Sequence, residues 1–142
     1  MLVCRIIGPA TLVFGIYMAL HATVTPGGGF QGGVVIASGL LLVYLGEGYA
    51  GWRKLVRSKV LERMEGGGAL LFALAGIWPM LGGSPYMQNV LPLGKFRNML
   101  SGGLMLIENA GVGLAVTAGF AMLFLEFMEE TRAPKSAQEE QP

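Results

Sequence analysis

Four apolar runs, each long enough to cross a membrane, constrain this chain more than any other feature. They cover residues 6–24, 33–49, 66–83 and 102–125. A helix needs about 20 apolar residues to cross roughly 30 Å of hydrocarbon at about 1.5 Å per residue. The second run is the shortest and ends near Glu47, whose side chain can extend to the lipid headgroups. The pattern predicts an all-α integral membrane protein with four transmembrane helices.

The first run has a second interpretation, as a cleaved signal peptide. Arg5 stands near its start, and the small residues of "ALHA" at 19–22 resemble a cleavage site. The run is longer than the apolar core of a typical signal peptide, and cleavage there would leave the next segment as a bare terminus. We therefore expect a retained helix.

Composition excludes several classes of function. Hydrophobic residues make up 53% of the chain and charged residues 13%, and a net charge of +1 gives no footprint for nucleic acid. Cys4 is the only cysteine, which rules out a disulfide framework or a multi-cysteine metal or iron–sulfur site within this chain. A membrane enzyme would need a nucleophile and a base built on Cys4 or His21, and we locate no such pair. We expect no cofactor, no metal and no catalytic residue.

The distribution of basic residues predicts the orientation. Segment 52–65 contains Arg53, Lys54, Arg57, Lys59 and Arg63. Short loops rich in Lys and Arg stay in the cytoplasm. Lys95 and Arg97 lie on the predicted outer side and reduce the difference in basic residues between the two sides. We expect a multi-pass protein of the cell membrane with both termini in the cytoplasm, and an interfacial position for Tyr49 and Trp52 beside the basic loop.

The end of the chain differs in character from the four runs. From Glu126 onward the sequence loses its apolar periodicity and mixes charges with Pro134 and Pro142. Such a segment is typically solvated. We assign residues 1–127 to a four-helix transmembrane domain and residues 128–142 to a charged, flexible cytoplasmic tail.

Small residues recur along the apolar runs at helical spacing. The candidates for helix packing are Gly15, Ala19, Gly111, Ala115 and Gly119. Helices in lipid associate through such small residues, and a four-helix bundle leaves some of these faces unpaired. We infer partner subunits; the alternative is that glycine is simply frequent in membrane helices.

Glu108 is the charged residue that lies deepest in an apolar run. It stands about six residues inside the fourth run, or roughly 9 Å by helical rise, on the same face as Gly111, Ala115 and Gly119. The side chain of the next residue, Asn109, faces a different direction from that of Glu108. An intramembrane carboxylate is a candidate for proton or cation handling. The alternative is a hydrogen bond or ion pair with a neighbouring helix.

Two weaker candidates for the ion pathway lie near the ends of runs. Glu47 stands close to the basic segment, so surface pairing is an alternative to an ion-conducting role. His21 lies at the outer end of the first run, where it either takes part in the ion pathway or rests at the interface.

The connection between the first two runs, "VTPGGGFQGGVV" at 24–35, is rich in glycine. Its members are Pro26, Gly27, Gly28, Gly29, Phe30, Gln31, Gly32 and Gly33. Pro26 ends the first helix, and the glycines permit conformations closed to other residues. Either the loop is a tight external turn that lets two helices pack closely, or it dips into the membrane beside a cavity.

Two motifs resemble a known family. "TPGGGFQGGVVIA" at 25–37 resembles the glycine motif of the B-type subunit of Mrp multisubunit Na⁺/H⁺ antiporters, which also occurs in related modules of membrane-bound hydrogenases. "IENAGVGLAVTAG" at 107–119 is similar to the acid-then-Gly-Val stretch of that family's last helix, with the acid at Glu108 placed further from the Gly-Val pair.

The resemblance implies a non-catalytic membrane subunit of a complex that exchanges Na⁺ for protons, alone or driven by a hydrogenase. Its partners would be the other membrane subunits of that complex and the lipid bilayer. Two hypotheses remain open. In the first, Glu108 and the glycine loop help to line a hydrated ion path. In the second, the same residues form a purely structural scaffold.

Overall fold

The computed structural model describes residues 2–95 and 98–131. Within them, the chain forms α1 (Leu2–Leu20), α2 (Gly29–Leu55), α3 (Ser58–Leu81) and α4 (Leu104–Glu130), with a short 3-10 helix at Met99–Gly102. Each of the four α-helices is long and apolar enough to cross a membrane. The predicted all-α fold with four membrane-spanning helices is confirmed.

Two helices extend into the basic segment 52–65, which the sequence predicted as a loop. The only break there is an extended turn at Val56 and Arg57. Within α2, Gly48 adopts φ 75°, so the helix is kinked before it reaches this turn. The prediction of a loop was wrong because Trp52 and Leu61 are buried, and this burial favours helix on both sides of the turn.

The fourth helix also runs further than predicted. It continues through Glu130, five residues beyond the predicted end of the apolar run at 125. Met128 is buried and anchors this last turn. Residues 132–142 of the predicted tail lie outside the described residues.

The helices are arranged across the bundle in the order α1, α2, α4, α3. Gly8 lies against Val43 and Gly15 against Ile36, so α1 and α2 are antiparallel. By the same comparison α3 and α4 are antiparallel, and α2 runs parallel to α4. The second and fourth helices therefore form the centre of the bundle.

Glycine and alanine make the closest helix contacts. A Cβ added to Gly15 would lie 2.8 Å from the backbone nitrogen of Ile36, and one added to Gly32 would lie 2.7 Å from that of Ala19. Across the other contact, a Cβ on Gly68 would lie 2.7 Å from the nitrogen of Ala115. These distances leave no room for a larger side chain without separating the helices.

A compact apolar cluster closes the end of the bundle where α2 turns into α3. It contains Trp52, Val56, Leu61, Ala118, Ala121, Leu125 and Met128. Trp52 is fully buried and meets the ring of Tyr44 edge-on, with ring centroids 6.0 Å apart. Trp52 therefore packs inside the bundle against α4, and its expected position at the membrane interface stays a prediction.

Candidate functional site

The glycine loop begins with a tight turn at the end of α1. The carbonyl of His21 accepts hydrogen bonds from the backbone N–H groups of Val24 and Thr25, each at 2.9 Å. Gly27 then adopts φ 145°, a conformation that L-residues with side chains rarely take. The chain reverses there and enters α2 at Gly29.

The start of α2 is docked on α4. The backbone N–H of Gly29 donates a hydrogen bond of 2.9 Å to Oδ1 of Asn109. A Cβ added to Gly29 would overlap the backbone carbonyl of Asn109, so only glycine permits this approach. The N-cap position itself is Gly28, which has no side chain to serve as a cap. Asn109 therefore caps α2 from the neighbouring helix.

The contact between these two helices continues one turn further along both. A Cβ on Gly33 would lie 2.9 Å from the carbonyl oxygen of Gly113. The buried hydroxyl of Thr117 lies 2.7 Å from the carbonyl oxygen of Gly113, in its own helix, and 3.3 Å from that of Gly33. The glycine loop is thus a packed element fixed to α4.

Glu108 precedes Asn109 in α4 and faces a different direction. Its Oε1 atom is buried, and no hydrogen-bond partner for it exists among the described residues. One turn further along the same face, Gly111 lies against Gly68 and Phe72 of α3. The carboxylate of Glu108 therefore lies on the side of α4 that packs on α3, whereas the side chain of Asn109 points towards α2.

The connection between α3 and α4 fixes the beginning of α4. Oδ1 of Asn89 accepts a hydrogen bond of 2.9 Å from the backbone N–H of Leu104, which caps the helix four residues before Glu108. Tyr86 covers Gly76, and a Cβ on Gly102 would overlap the side chain of Thr23. Both connections at this end of the bundle are thus packed around the start of α4.

Sequence comparison decides the family. Residues 1–122 match the model of the domain related to the MnhB subunit of Na⁺/H⁺ antiporter. The chain belongs to this MnhB-related family. The resemblance drawn from the glycine motif is confirmed, and with four helices suited to spanning a membrane the chain is a multi-pass membrane protein.

Similar proteins come from archaea and bacteria. An uncharacterised protein of Methanocaldococcus jannaschii is 33% identical over 118 residues, which cover 78% of this chain and 44% of that protein. The B subunit of the Na⁺/H⁺ antiporter of Alkalihalophilus pseudofirmus is 34% identical over 83 residues, or 58% of this chain and 57% of the relative. Its counterpart of the same description in Bacillus subtilis is 29% identical over 123 residues, or 84% and 83%. The matches thus span about half the length of the first two relatives.

The other two candidates in this MnhB-related chain, His21 and Glu47, both contact residues of α1. The ring of His21 stacks on Tyr17 with centroids 4.1 Å apart, and its Nδ1 lies 3.2 Å from the Tyr17 carbonyl. Glu47 forms an ion pair of 3.1 Å with Arg5 of α1. The predicted surface pairing of Glu47 thus has a partner outside the basic segment, at the opposite end of the bundle from the glycine loop.

The sequence prediction missed the role of Asn109. The sequence predicted only that its side chain points away from the face of Glu108. In the MnhB-related chain, α2 lies on that side of α4. One signal was available, since a glycine-rich helix start without a Ser, Thr, Asp or Asn cap leaves N–H groups that another element must satisfy. Within the described residues, no three His, Cys, Asp or Glu side chains converge as metal ligands.

Proposed function

We propose that this chain is a non-catalytic membrane subunit of a multisubunit Na⁺/H⁺ antiporter, and that Glu108 and the glycine loop help to line its hydrated ion path. The observation that carries the proposal is the buried Oε1 of Glu108, which has no hydrogen-bond partner among the described residues. The names of the relatives from Alkalihalophilus pseudofirmus and Bacillus subtilis support the antiporter context.

The energetic cost of Glu108 supports a role in transport. A carboxylate inside a membrane span is costly unless a charge, a donor or water satisfies it. If Glu108 served packing alone, an apolar residue at this position would cost the protein little stability, since apolar replacements of buried ionic groups are often neutral or stabilising. Water, a cation or a proton reaching Glu108 in the assembled complex would satisfy the carboxylate.

The glycine loop contributes rigidity to this path. Its backbone is held by Asn109 and by the close approach of Gly33 to Gly113. Irregular backbone at membrane depth is tolerated where protein or a cavity covers it. The loop thereby forms one wall of the proposed ion path, at the end of the bundle where α4 begins.

The scaffold hypothesis remains the second candidate, and the glycine contacts favour it. Gly15, Gly29 and Gly68 each sit where a Cβ would overlap or crowd a neighbouring helix. These contacts hold the chain together whether or not ions pass Glu108. Replacing Glu108 by Gln separates the two hypotheses, because Gln keeps the shape of Glu and can still form hydrogen bonds but cannot carry a proton or a charge.

We further propose that both termini lie in the cytoplasm. Four spans place the termini on one side, and the exposed Arg57, Lys59 and Arg63 lie at the same end of the bundle as the Arg5–Glu47 pair. A membrane-bound hydrogenase is the alternative form of the parent complex. Mass spectrometry of the subunits that co-purify with the tagged chain distinguishes it from a stand-alone antiporter by the presence of subunits with iron–sulfur cysteines.

A further inference from the structure

A groove of about 580 Å³ lies between α3 and α4, towards the end of the bundle that carries the basic segment. Its apolar lining includes Ala115, Val116, Phe120 and Leu123. Two carboxylates, Glu65 from α3 and Glu126 from α4, interrupt this apolar surface. The groove thus combines an apolar lining with two negatively charged side chains.

The two carboxylates have no partner within the described part of the chain. Both side chains are exposed, and neither forms a hydrogen bond or an ion pair with a described residue. Glu65 leans over Gly119, where an added Cβ would lie 3.3 Å from its Oε1. Two like charges beside an apolar wall repel each other and attract a cation.

The part of α4 that lines the groove also presents apolar side chains that another helix can cover. Leu123 is exposed and Phe120 is partly exposed, whereas Ala115 is already packed against Gly68 of α3. Glu126 follows Glu108 by 18 residues, which is five helical turns, so the two acids point the same way about 27 Å apart. Gly111 and Ala115, between these two acids, already pack on α3. The surface left for another helix is the exposed Leu123 with the carboxylates of Glu65 and Glu126 beside it, and this surface matches a helix that carries a basic residue.

We propose that a transmembrane helix of a neighbouring subunit lies in this groove and places a Lys or Arg side chain between Glu65 and Glu126. The inference rests on the part of the proposed function that puts this chain in a multisubunit complex, and it is independent of the ion path at Glu108. A phospholipid fits the groove less well, because both carboxylates repel its phosphate. A second copy of this chain would bring the same two acids to the contact.

Site-directed photo-cross-linking in the purified complex tests the proposal. Leu123→Cys in a Cys4→Ser background carries a benzophenone maleimide, and Val13→Cys on the exposed face of α1 is the control. We expect Leu123→Cys to cross-link to a transmembrane helix of a neighbouring subunit within one turn of a Lys or Arg, and Val13→Cys to give a different product. A cross-link to lipid, to a second copy of this chain or to a helix without a basic residue overturns the proposal.

Charge reversal supplies an independent measurement. The double variant Glu65→Lys, Glu126→Lys should lower the yield of the cross-linked neighbour more than about tenfold in co-purification, because like charges across an interface strongly disfavour association. Changing the neighbour's basic residue to Glu should restore the yield. Glu62→Lys, an exposed site one turn from Glu65 and outside the groove lining, should leave it unchanged.

Retention of the neighbour by the double variant would refute the proposal. If the double variant does not accumulate in the membrane, the cross-link decides alone. Transport by Glu108→Gln is measured separately, so normal exchange with the expected cross-link would reject the ion path and leave the groove assignment intact. The reverse result would reject the groove assignment and leave the ion path.

Discussion

Asn109 and Gly29 are 80 residues apart in the chain, and the side-chain oxygen of Asn109 accepts a 2.9 Å hydrogen bond from the backbone N–H of Gly29. The amide group of Asn109 also donates to the carbonyl of Met105, at 3.0 Å, which fixes its orientation. The first turn of α2 and the helix that carries Glu108 are thereby joined into one unit. A change in the glycine loop is expected to be transmitted to Glu108 through this contact.

Replacing Asn109 by Ala removes the cap of α2. The N–H of Gly29 then loses its acceptor in a partly buried position, and we expect a loss of about 1–2 kcal/mol in the free energy of unfolding. Thermal unfolding of the full-length chain in detergent measures this loss. Ser38→Ala is the control, because the exposed hydroxyl of Ser38 bonds only to its own helix. Equal stability of the two variants would show that the cap contributes little.

Gly29→Ala should destabilise the chain even though alanine is the better helix former. Its Cβ would overlap the backbone of Asn109, and overpacking of this kind costs about 1–3 kcal/mol. The matched control is Gly67→Ala in α3, where an added Cβ meets no atom within 4 Å. That control should gain up to about 1 kcal/mol from helix propensity. A melting temperature that rises in both variants would contradict the docking of the loop on α4.

Trp52 should contribute to stability through its volume and not through its indole N–H. The side chain is fully buried, and its Nε1 has no hydrogen-bond partner among the described residues. We expect Trp52→Ala to cost about 3–5 kcal/mol. Trp52→Phe should cost much less, because no hydrogen bond is broken. Urea unfolding of both variants, followed by far-UV circular dichroism, compares them; similar losses would mean that the N–H has a partner in the native protein.

The ion pair between Arg5 and Glu47 should matter little for stability or transport. About half of each side chain is exposed, at 57% and 47%, and exposed pairs contribute about 0–1 kcal/mol. We expect Glu47→Gln to leave Na⁺-dependent proton exchange unchanged. Exchange is measured in vesicles that contain equal amounts of complex, with Arg5→Gln alongside. A marked loss in Glu47→Gln alone would return Glu47 to the ion pathway.

Hydropathy alone could predict the four spans, because the bilayer demands long apolar runs and places few other demands on sequence. It could not predict that α2 and α3 extend through the basic segment. The helical turns in this segment are stabilised by the burial of Trp52 and Leu61 against α4. This tertiary contact leaves no pattern in the local sequence.

The candidate site could be predicted in part from local sequence. The depth of Glu108 in its run followed from counting residues, and the close approach of the glycines followed from their size. The role of Asn109 could not be predicted, because it depends on which helix lies beside α4. The order α1, α2, α4, α3 across the bundle is set by packing between distant segments, and it places the start of α2 on Asn109.

Na⁺-dependent proton exchange by Glu108→Gln is the measurement that tests the central claim most directly. The tagged complex is purified, its subunit composition is compared with that of the unmodified complex, and it is reconstituted into vesicles with a pH-sensitive dye inside. Our account predicts normal assembly and exchange that falls towards the level of empty vesicles, with Glu62→Gln as an exposed control. Full exchange by Glu108→Gln in a normally assembled complex would contradict the account and leave the scaffold role.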